Sequence, residues 1–461
     1  MRASASLRMT AIHHGQLMEH LFPGDGREAV AIALCSRGHG PTRDVLLVQQ
    51  IERIPYSICR REPDHIEWPT EYILPLLESA AERRLGIVKF HSHPGGYPRF
   101  SAQDDRSDRT LFPFVSNWTG DVASNSSVVV LPEGCRFGRV VDANGEFHAL
   151  GSITVVGDDL LFFYPDAPGA VPEFAKRHAQ LFGAGTSAMV RKLRVGVVGC
   201  SGTGGPVILQ LAHLGVGRLV LVDPDRIEVK NLDRIPGATM KDALDRAFKV
   251  DVSKRYVEGL ALGTEVLPLN TDLANAEAVR AIAECDIVFG CMDGAEGRHL
   301  LNRIASFYLL PYFDLGVRLD ADGRGGVEQV CGTVHYLKPG GSSLLSRGVY
   351  TLEEVRAEGL RRTDPEAYRE QLRSKYIVGV QEDRPAIISV NMQIASMALN
   401  EMLARIHPFR DEPNGRYAAS RLSLKHGEMF SEPDGAPCPL LTRHTGRGDV
   451  RPLVDRPDLS E

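Results

Sequence analysis

The sequence predicts an α/β protein of two domains, a mixed α/β unit followed by a larger one built on a mostly parallel sheet. Three observations lead there. At 461 residues, 43% apolar and 24% charged, the chain is too long for one ordinary domain and has the composition of a packed globular protein. Its first third reads as short strands around a helix, whereas its centre alternates strand and helix, the grammar of a parallel sheet covered on both faces. Between them lies FYPDAPGAVPEF, whose three prolines mark a linker.

Taken in order, EAVAIALC and DVLLVQQIERI are strands separated by the turn-rich SRGHGPTR. TEYILPLLESAAERRL carries apolar residues at helical spacing and runs into a short strand, GIVKF, which delivers the chain to His91. SSVVVL, CRFGRVV, EFHAL and SITVV follow as strands. Beyond the linker, KLRVGVVG is a strand, PVILQLAHLG a helix, RLVLVD a second strand and CDIVFGCMD a later one. From residue 411 the chain turns polar and rich in Pro and Gly, as expected of an extended tail. The boundaries expected are therefore 1–160, 161–410 and a tail over 411–461.

A formal charge of −6 gives no basic footprint for nucleic acid. Apolar runs fall short of the ~20 residues that span a membrane, and the first residues lack a signal-peptide core. Eight cysteines without a CxxC pair argue against a disulfide framework and against a cysteine zinc cage. A cytoplasmic protein is expected.

The stretch HSHPGGYPRFSAQDD carries the first constellation. Alternate residues of an extended segment point to one side, so His91 and His93 can reach one ion. Asp104 becomes a third ligand if the chain folds back, and Pro94, Gly95, Gly96 and Pro98 suit a reversal. Three ligands of this kind leave a fourth position for water, as in catalytic zinc sites. Zinc lowers the pKa of that water from about 15.7 to roughly 7. Glu28 is a candidate base and Ser101 a candidate donor to an oxyanion. His-x-His-Pro with Ser101 and Asp104 downstream, and a glutamate upstream, resembles the JAMM motif of MPN-type metalloproteases. That resemblance extends over residues 11–155. It implies zinc held by His91, His93 and Asp104, Glu28 as base, Ser101 as oxyanion partner, and cleavage after the C-terminal glycine of a ubiquitin-like protein.

The second constellation is VGVVGCSGTGGPV, a strand entering glycines and then a helix, an arrangement that binds phosphate through backbone N–H groups. Gly199, Gly202, Gly204 and Gly205 supply the turn. Asp223 ends the second strand, where a carboxylate accepts from ribose hydroxyls. Asn231, Arg234 and Lys249 follow, and Asp293 lies past a later strand. Cationic groups converging on a triphosphate fit nucleotide activation better than hydride transfer. These residues resemble the ThiF/MoeB and ubiquitin-activating family over roughly 173–407, on a Rossmann-like fold. The resemblance implies ATP as co-substrate, with Asp223 on the ribose and Asn231, Arg234 and Lys249 on the phosphates. Asp293 would hold magnesium, and Arg298 and Asn302 would line the nucleotide site. Arg177, on the entry helix, would reach the partner's phosphates in a homodimer.

Three departures from that family pattern stand out. Ser201 occupies the third position of the glycine run. KPGGSSLLSRG has Ser343 and Ser346 where the family often has a zinc-binding CxxC, and serine is a poor zinc ligand. No cysteine lies between Gly332 and Pro437, so a thioester would need Cys438 in the tail, while Cys291 and Cys331 read as packing residues.

The two resemblances together imply that both halves act on one object, the glycine end of a ubiquitin-like or sulfur-carrier protein, with a conjugating enzyme as a further expected partner. Two other readings stay open at this point: adenylation in sulfur-carrier or small-peptide metabolism, and an MPN half that only recruits a partner.

Overall fold

A computed structural model describes residues 4–120, 125–166, 169–373 and 385–459. Two compact units divide the chain. One comprises Met1–Ala167 with Phe307–Leu309 and Thr445–Asp455, the other Pro168–Ser306 with Leu310–His444 and Arg456–Glu461. Of the expected linker, residues 167 and 168 lie outside the described residues.

The first unit contains strands β1 (Ser4–Thr10), β2 (Val30–His39), β3 (Arg43–Arg53), β4 (Arg60–Glu62), β5 (His65–Glu67), β6 (Gly86–Ser92), β7 (Asn125–Leu131), β8 (Gly134–Val141), β9 (Phe147–Val156) and β10 (Leu160–Phe163). Its helices are α1 (Ala11–Leu21), α2 (Leu74–Arg83) and α3 (Ala102–Thr119). The main sheet has the order β1-β3-β2-β6-β7-β8-β9-β10, and β1 also pairs with β9, so the sheet curls back on itself. Strand alternation sorts the side chains into two cores. Val88 and Phe90 pack with Leu17 and Leu21 of α1, whereas Ile87 packs with Leu77 of α2 and Phe112 of α3. Lys89 and His91 share the parity of Ile87, which turns them toward α3.

The second unit contains α4 (Lys176–Val190), β11 (Arg194–Val198), α5 (Gly204–Leu214), β12 (Arg218–Val222), α6 (Met240–Leu244), α7 (Lys249–Gly259), β13 (Glu265–Leu269), α8 (Ala276–Ala283), β14 (Ile287–Gly290), α9 (Ala295–Phe307), β15 (Tyr312–Ala321) and β16 (Val327–Leu337). It continues through α10 (Leu352–Thr363), α11 (Pro365–Arg373), α12 (Ile388–Ile406), β17 (Ala419–Ser423) and β18 (Glu428–Glu432). The sheet order is β13-β12-β11-β14-β15-β16-β17-β18. From β13 to β15 neighbours are parallel, and from β15 to β18 antiparallel. The parallel centre is built from apolar residues buried on both faces, as covered strands require. Its order reverses between β11 and β14, the switch point where such sheets open a crevice at their carboxyl ends.

Two expectations are corrected. EFHAL and SITVV form one strand, β9, which continues through Gly151, where its register against β1 shifts by one residue. The region from 411 is not an extended tail. β17 and β18 extend the second sheet, and Thr445–Asp455 belongs to the first unit. There the Asp449 amide donates to the Arg37 carbonyl at 2.8 Å and the Gly448 amide to the Phe307 carbonyl at 2.9 Å. The Asp449 carboxylate accepts from the His39 amide at 2.8 Å and from the Tyr308 hydroxyl at 2.7 Å. Short polar edge strands and Pro- and Gly-rich connections have the same composition as a tail, which is why composition alone misled.

Candidate functional site

In the first unit, β6 ends at Ser92, and a turn with Gly96 at φ +74° reverses the chain into α3. Ser101 caps α3: its hydroxyl accepts from the Asp104 amide at 3.1 Å, while the Asp104 carboxylate accepts from the Ser101 amide at 2.6 Å. That reciprocal capping box fixes the Asp104 side chain at the start of the helix. Asp104 therefore arrives from a helical first turn, a more rigid support than the returning loop expected from the sequence.

His91 Nε2 lies 3.2 Å from His93 Nε2 and 3.0 Å from Asp104 Oδ1, and His93 Nε2 lies 3.5 Å from Asp104 Oδ2. Donors of a tetrahedral zinc site, each about 2.0–2.1 Å from the ion, stand about 3.3 Å apart. The spacing fits zinc. The His93 orientation is set by its Nδ1, 2.9 Å from the Tyr97 carbonyl. All three residues are at most 9% exposed.

Antiparallel pairing of β2 with β6 sets Val30 opposite His91. Two residues earlier, on the same face, Glu28 Oε1 comes within 3.8 Å of His93 Nε2. Burial, with Asp104 adding and His93 opposing, raises the Glu28 pKa to about 7. Burial also lowers that of His91. Asp104 is held well below the carboxylate range: burial opposes ionisation, but bonds from His91 and His93 outweigh it. With one lone pair of Ser101 committed to the cap, its O–H proton stays free to donate.

A buried charge network that sequence reading missed stands beside the cradle. Asp108, fully buried, accepts from Lys89 and from Arg139 Nη2 at 2.7 Å, and Arg139 lies over Phe100 at 3.7 Å. Asp108 is one turn beyond Asp104 on α3, so this network holds the helix against the sheet.

The second site lies at the switch point. Gly199 follows β11 with φ +90°, and a side-chain carbon there would meet the Cys291 carbonyl at 2.6 Å. A carbon on Gly204 would stand 1.8 Å from the Gly199 carbonyl, so only glycine fits that position. The Asp223 carboxylate accepts from the Cys200 amide at 2.7 Å and the Asp225 amide at 2.8 Å, bracing the loop. Burial raises its pKa against the pull of Lys249 and those amides. Lys249 Nζ donates to Asp225 at 2.7 Å. Asp225, Asn231 and Lys249 line a cavity of about 340 Å³ with Arg226, Glu228, Lys230 and Arg246, a wall in which four cations face two carboxylates. Asn231 Oδ1 accepts from the Glu228 amide at 3.0 Å, and Arg234 Nη1 bonds the Lys230 carbonyl at 2.8 Å.

Exposed Asp293 follows β14 beside the residues that touch Gly199. A lone carboxylate of this kind fits magnesium shared with substrate phosphates. Arg298 donates to the Leu315 carbonyl at 3.1 Å and stands 3.3 Å from buried Asp314. Asn302 Oδ1 accepts from the Leu344 amide at 2.9 Å. The protein thus already engages both of these residues. Arg177 is exposed on α4, which kinks at Gly183.

Residues 175–435 match the sequence model of the ThiF family, more than half of the chain. The chain belongs to the ThiF family. Residues 10–132 match the model for prokaryotic homologs of the JAB domain. Among curated relatives, the SAMP-activating enzyme E1 of Haloferax volcanii is 34% identical over 118 residues, 26% of this chain and 43% of that protein. The adenylyltransferase and sulfurtransferase UBA4 of Meyerozyma guilliermondii is 29% identical over 133 residues, 28% and 30% of the two chains. The chain thus spans less than half the length of these relatives. E. coli MccB crystallised with ATP aligns over 59% of this chain and 74% of its own at 18% identity, with a TM-score of 0.44.

Within the ThiF-matching region, the two serines at the expected CxxC position bond one another. The Ser343 amide donates to Ser346 Oγ at 2.9 Å and the Ser346 amide to Ser343 Oγ at 3.1 Å. Cys438, expected on a flexible tail, is 2% exposed and its amide bonds the Gly341 carbonyl at 3.0 Å. Cys291 is buried, and desolvation pushes its thiol up to about 12. Cys331, expected in a core, is on strand β16 but half-buried. Among the described residues no helix is long and apolar enough to cross a membrane.

Proposed function

We propose that this protein is a two-activity enzyme of a ubiquitin-like system, which cleaves after the C-terminal glycine of a small carrier protein and adenylates that glycine. The observation carrying the reading is that a zinc-spaced His-His-Asp cradle and a glycine-loop switch-point site occur in one ThiF-family chain. The names of the curated relatives, an E1 and adenylyltransferases, support the second activity.

In the first unit, His91, His93 and Asp104 would hold zinc. The ion supplies Lewis acidity and acidifies water near neutral pH. Glu28, with a pKa near 7, accepts the proton of the attacking water and returns it to the departing amine. The Ser101 hydroxyl donates to the oxyanion of the scissile carbonyl.

In the second unit, the carrier's carboxylate attacks the α-phosphorus of ATP. An oxygen–phosphorus bond forms, the α–β anhydride bond breaks and pyrophosphate leaves. Asp223 orients the ribose, and Lys249, Arg234 and Asn231 stabilise the phosphates. Asp293 would hold magnesium, which neutralises phosphate charge, and Arg298 and Asn302 shape the surrounding wall. In a homodimer, Arg177 would add a cation to the partner's site. With Cys291 and Cys438 both buried, transfer of the adenylate to a nucleophile on another protein is the favoured course, a conjugating enzyme or a sulfur donor.

The test is intact mass spectrometry of a ubiquitin-like protein carrying residues beyond its glycine, incubated with the enzyme, zinc and Mg·ATP. Tail loss that fails only in Asp104→Ala, and an adenylate adduct that fails only in Asp293→Ala, are expected. A broad panel of carriers left unchanged by a zinc-free enzyme would overturn the protease half.

A further inference from the structure

Asn391 was not singled out from the sequence. It sits in the first turn of α12, its amide bonded to the Ile387 carbonyl at 3.1 Å, and is 3% exposed. Its Nδ2 has no hydrogen-bond partner among the described residues. A buried amide donor left unmade is destabilising, so such a group calls for an acceptor that arrives from outside. The acceptor's position is indicated by Gly202. A side-chain carbon on this glycine would stand 3.0 Å from Asn391 Nδ2 and 3.6 Å from Arg234 Cδ. The amide, the arginine stem and the loop glycine therefore border one small space. The N-terminus of α5 is reached through the same loop, and its N–H groups favour an anion.

We propose that Asn391 Nδ2 donates to a phosphate oxygen of the bound nucleotide, sharing with Arg234 the space that Gly202 keeps open. The inference rests on the adenylation reading above. Asparagine suits the task because it donates without adding a charge that burial would penalise. Neither the glycine motif nor the carboxylates at the sheet edge require this residue.

Calorimetric titration of the full chain with Mg·ATP, without any carrier protein, tests it. Asn391→Asp sets a carboxylate against the phosphates and is expected to weaken binding at least ~30-fold. Asn391→Leu, similar in volume, is expected to weaken it ~5- to 20-fold. The thermal midpoint of the nucleotide-free Leu variant should stay level or rise, because an unmade donor has been removed. Variants that bind as wild type does would overturn the inference and leave adenylation standing. Affinity lost only together with a lowered nucleotide-free midpoint would assign Asn391 a structural role instead. A wild-type protein that binds no Mg·ATP would remove the adenylation reading itself.

Discussion

The two sites solve the problem of holding charge in different ways. In the His-His-Asp cradle the groups face one another: two imidazoles and a carboxylate stand within 3.5 Å, buried and locked by a helix cap. At the switch point the two cations each have a local protein partner, Lys249 on Asp225 and Arg234 on Asp233. The first arrangement is complementary to one small ion of fixed geometry. The second is complementary to a ligand that must displace or share existing pairs, which suits a substrate that enters and leaves every turnover. On the proposed reading, a kept metal and an exchanging nucleotide would need different degrees of preorganisation from the same kinds of residues.

That contrast is broken most severely at Asp104. Asp104→Ala is expected to reduce zinc from about one ion per chain to background by elemental analysis and to abolish cleavage, with pyrophosphate exchange unaffected. Glu28→Gln sharpens the assignment: zinc should remain, while the cleavage rate falls ~10²- to 10⁴-fold. Lys249→Ala removes one of the exchangeable pairs. Exchange activity should fall ~10²- to 10³-fold, and the unfolding midpoint should change little, since Asp225 is exposed on the cavity rim.

A smaller effect concerns pH. Burial lowers His335 to about 3 and His299 to about 4. Both folded values lie below the unfolded value, so the unfolded chain binds more protons as pH falls below about 6.5. Stability of the second unit should therefore decline from pH 6.5 toward 4 in denaturant titrations. Replacement of His335 by Gln should flatten the slope. In the first unit burial likewise lowers His13, His14 and His20, so its stability should fall in the same direction.

The cradle was almost wholly legible in the sequence because its parts are local: a strand end, a turn and a helix cap within 14 residues, from His91 to Asp104. Glu28 was placed by motif position, and what brings it to the cradle is sheet register, which pairs Val30 with His91. The glycine loop and Asp223 were legible for a similar reason, since a parallel βαβ unit forces them to the same sheet edge. Asn391 was not, because no periodicity links the start of α12 to a loop 189 positions earlier. Nor could the sequence foretell that Asn302 and Arg298 would be bonded to the Leu344 amide and the Leu315 carbonyl.

Thr445–Asp455 gives the first unit an unusual place in the order of synthesis. Most of its chain leaves the ribosome before residue 168, yet the strand-bordering contacts of Asp449 with His39 and Tyr308 cannot form until residue 449 has been made. Contacts separated by 410 positions form slowly, because a long loop must close first. The His-His-Asp cradle can therefore assemble early, from local segments, on a unit whose last piece arrives only after the ThiF-family sheet has been made. Anyone expressing residues 1–167 alone would be studying that nascent form.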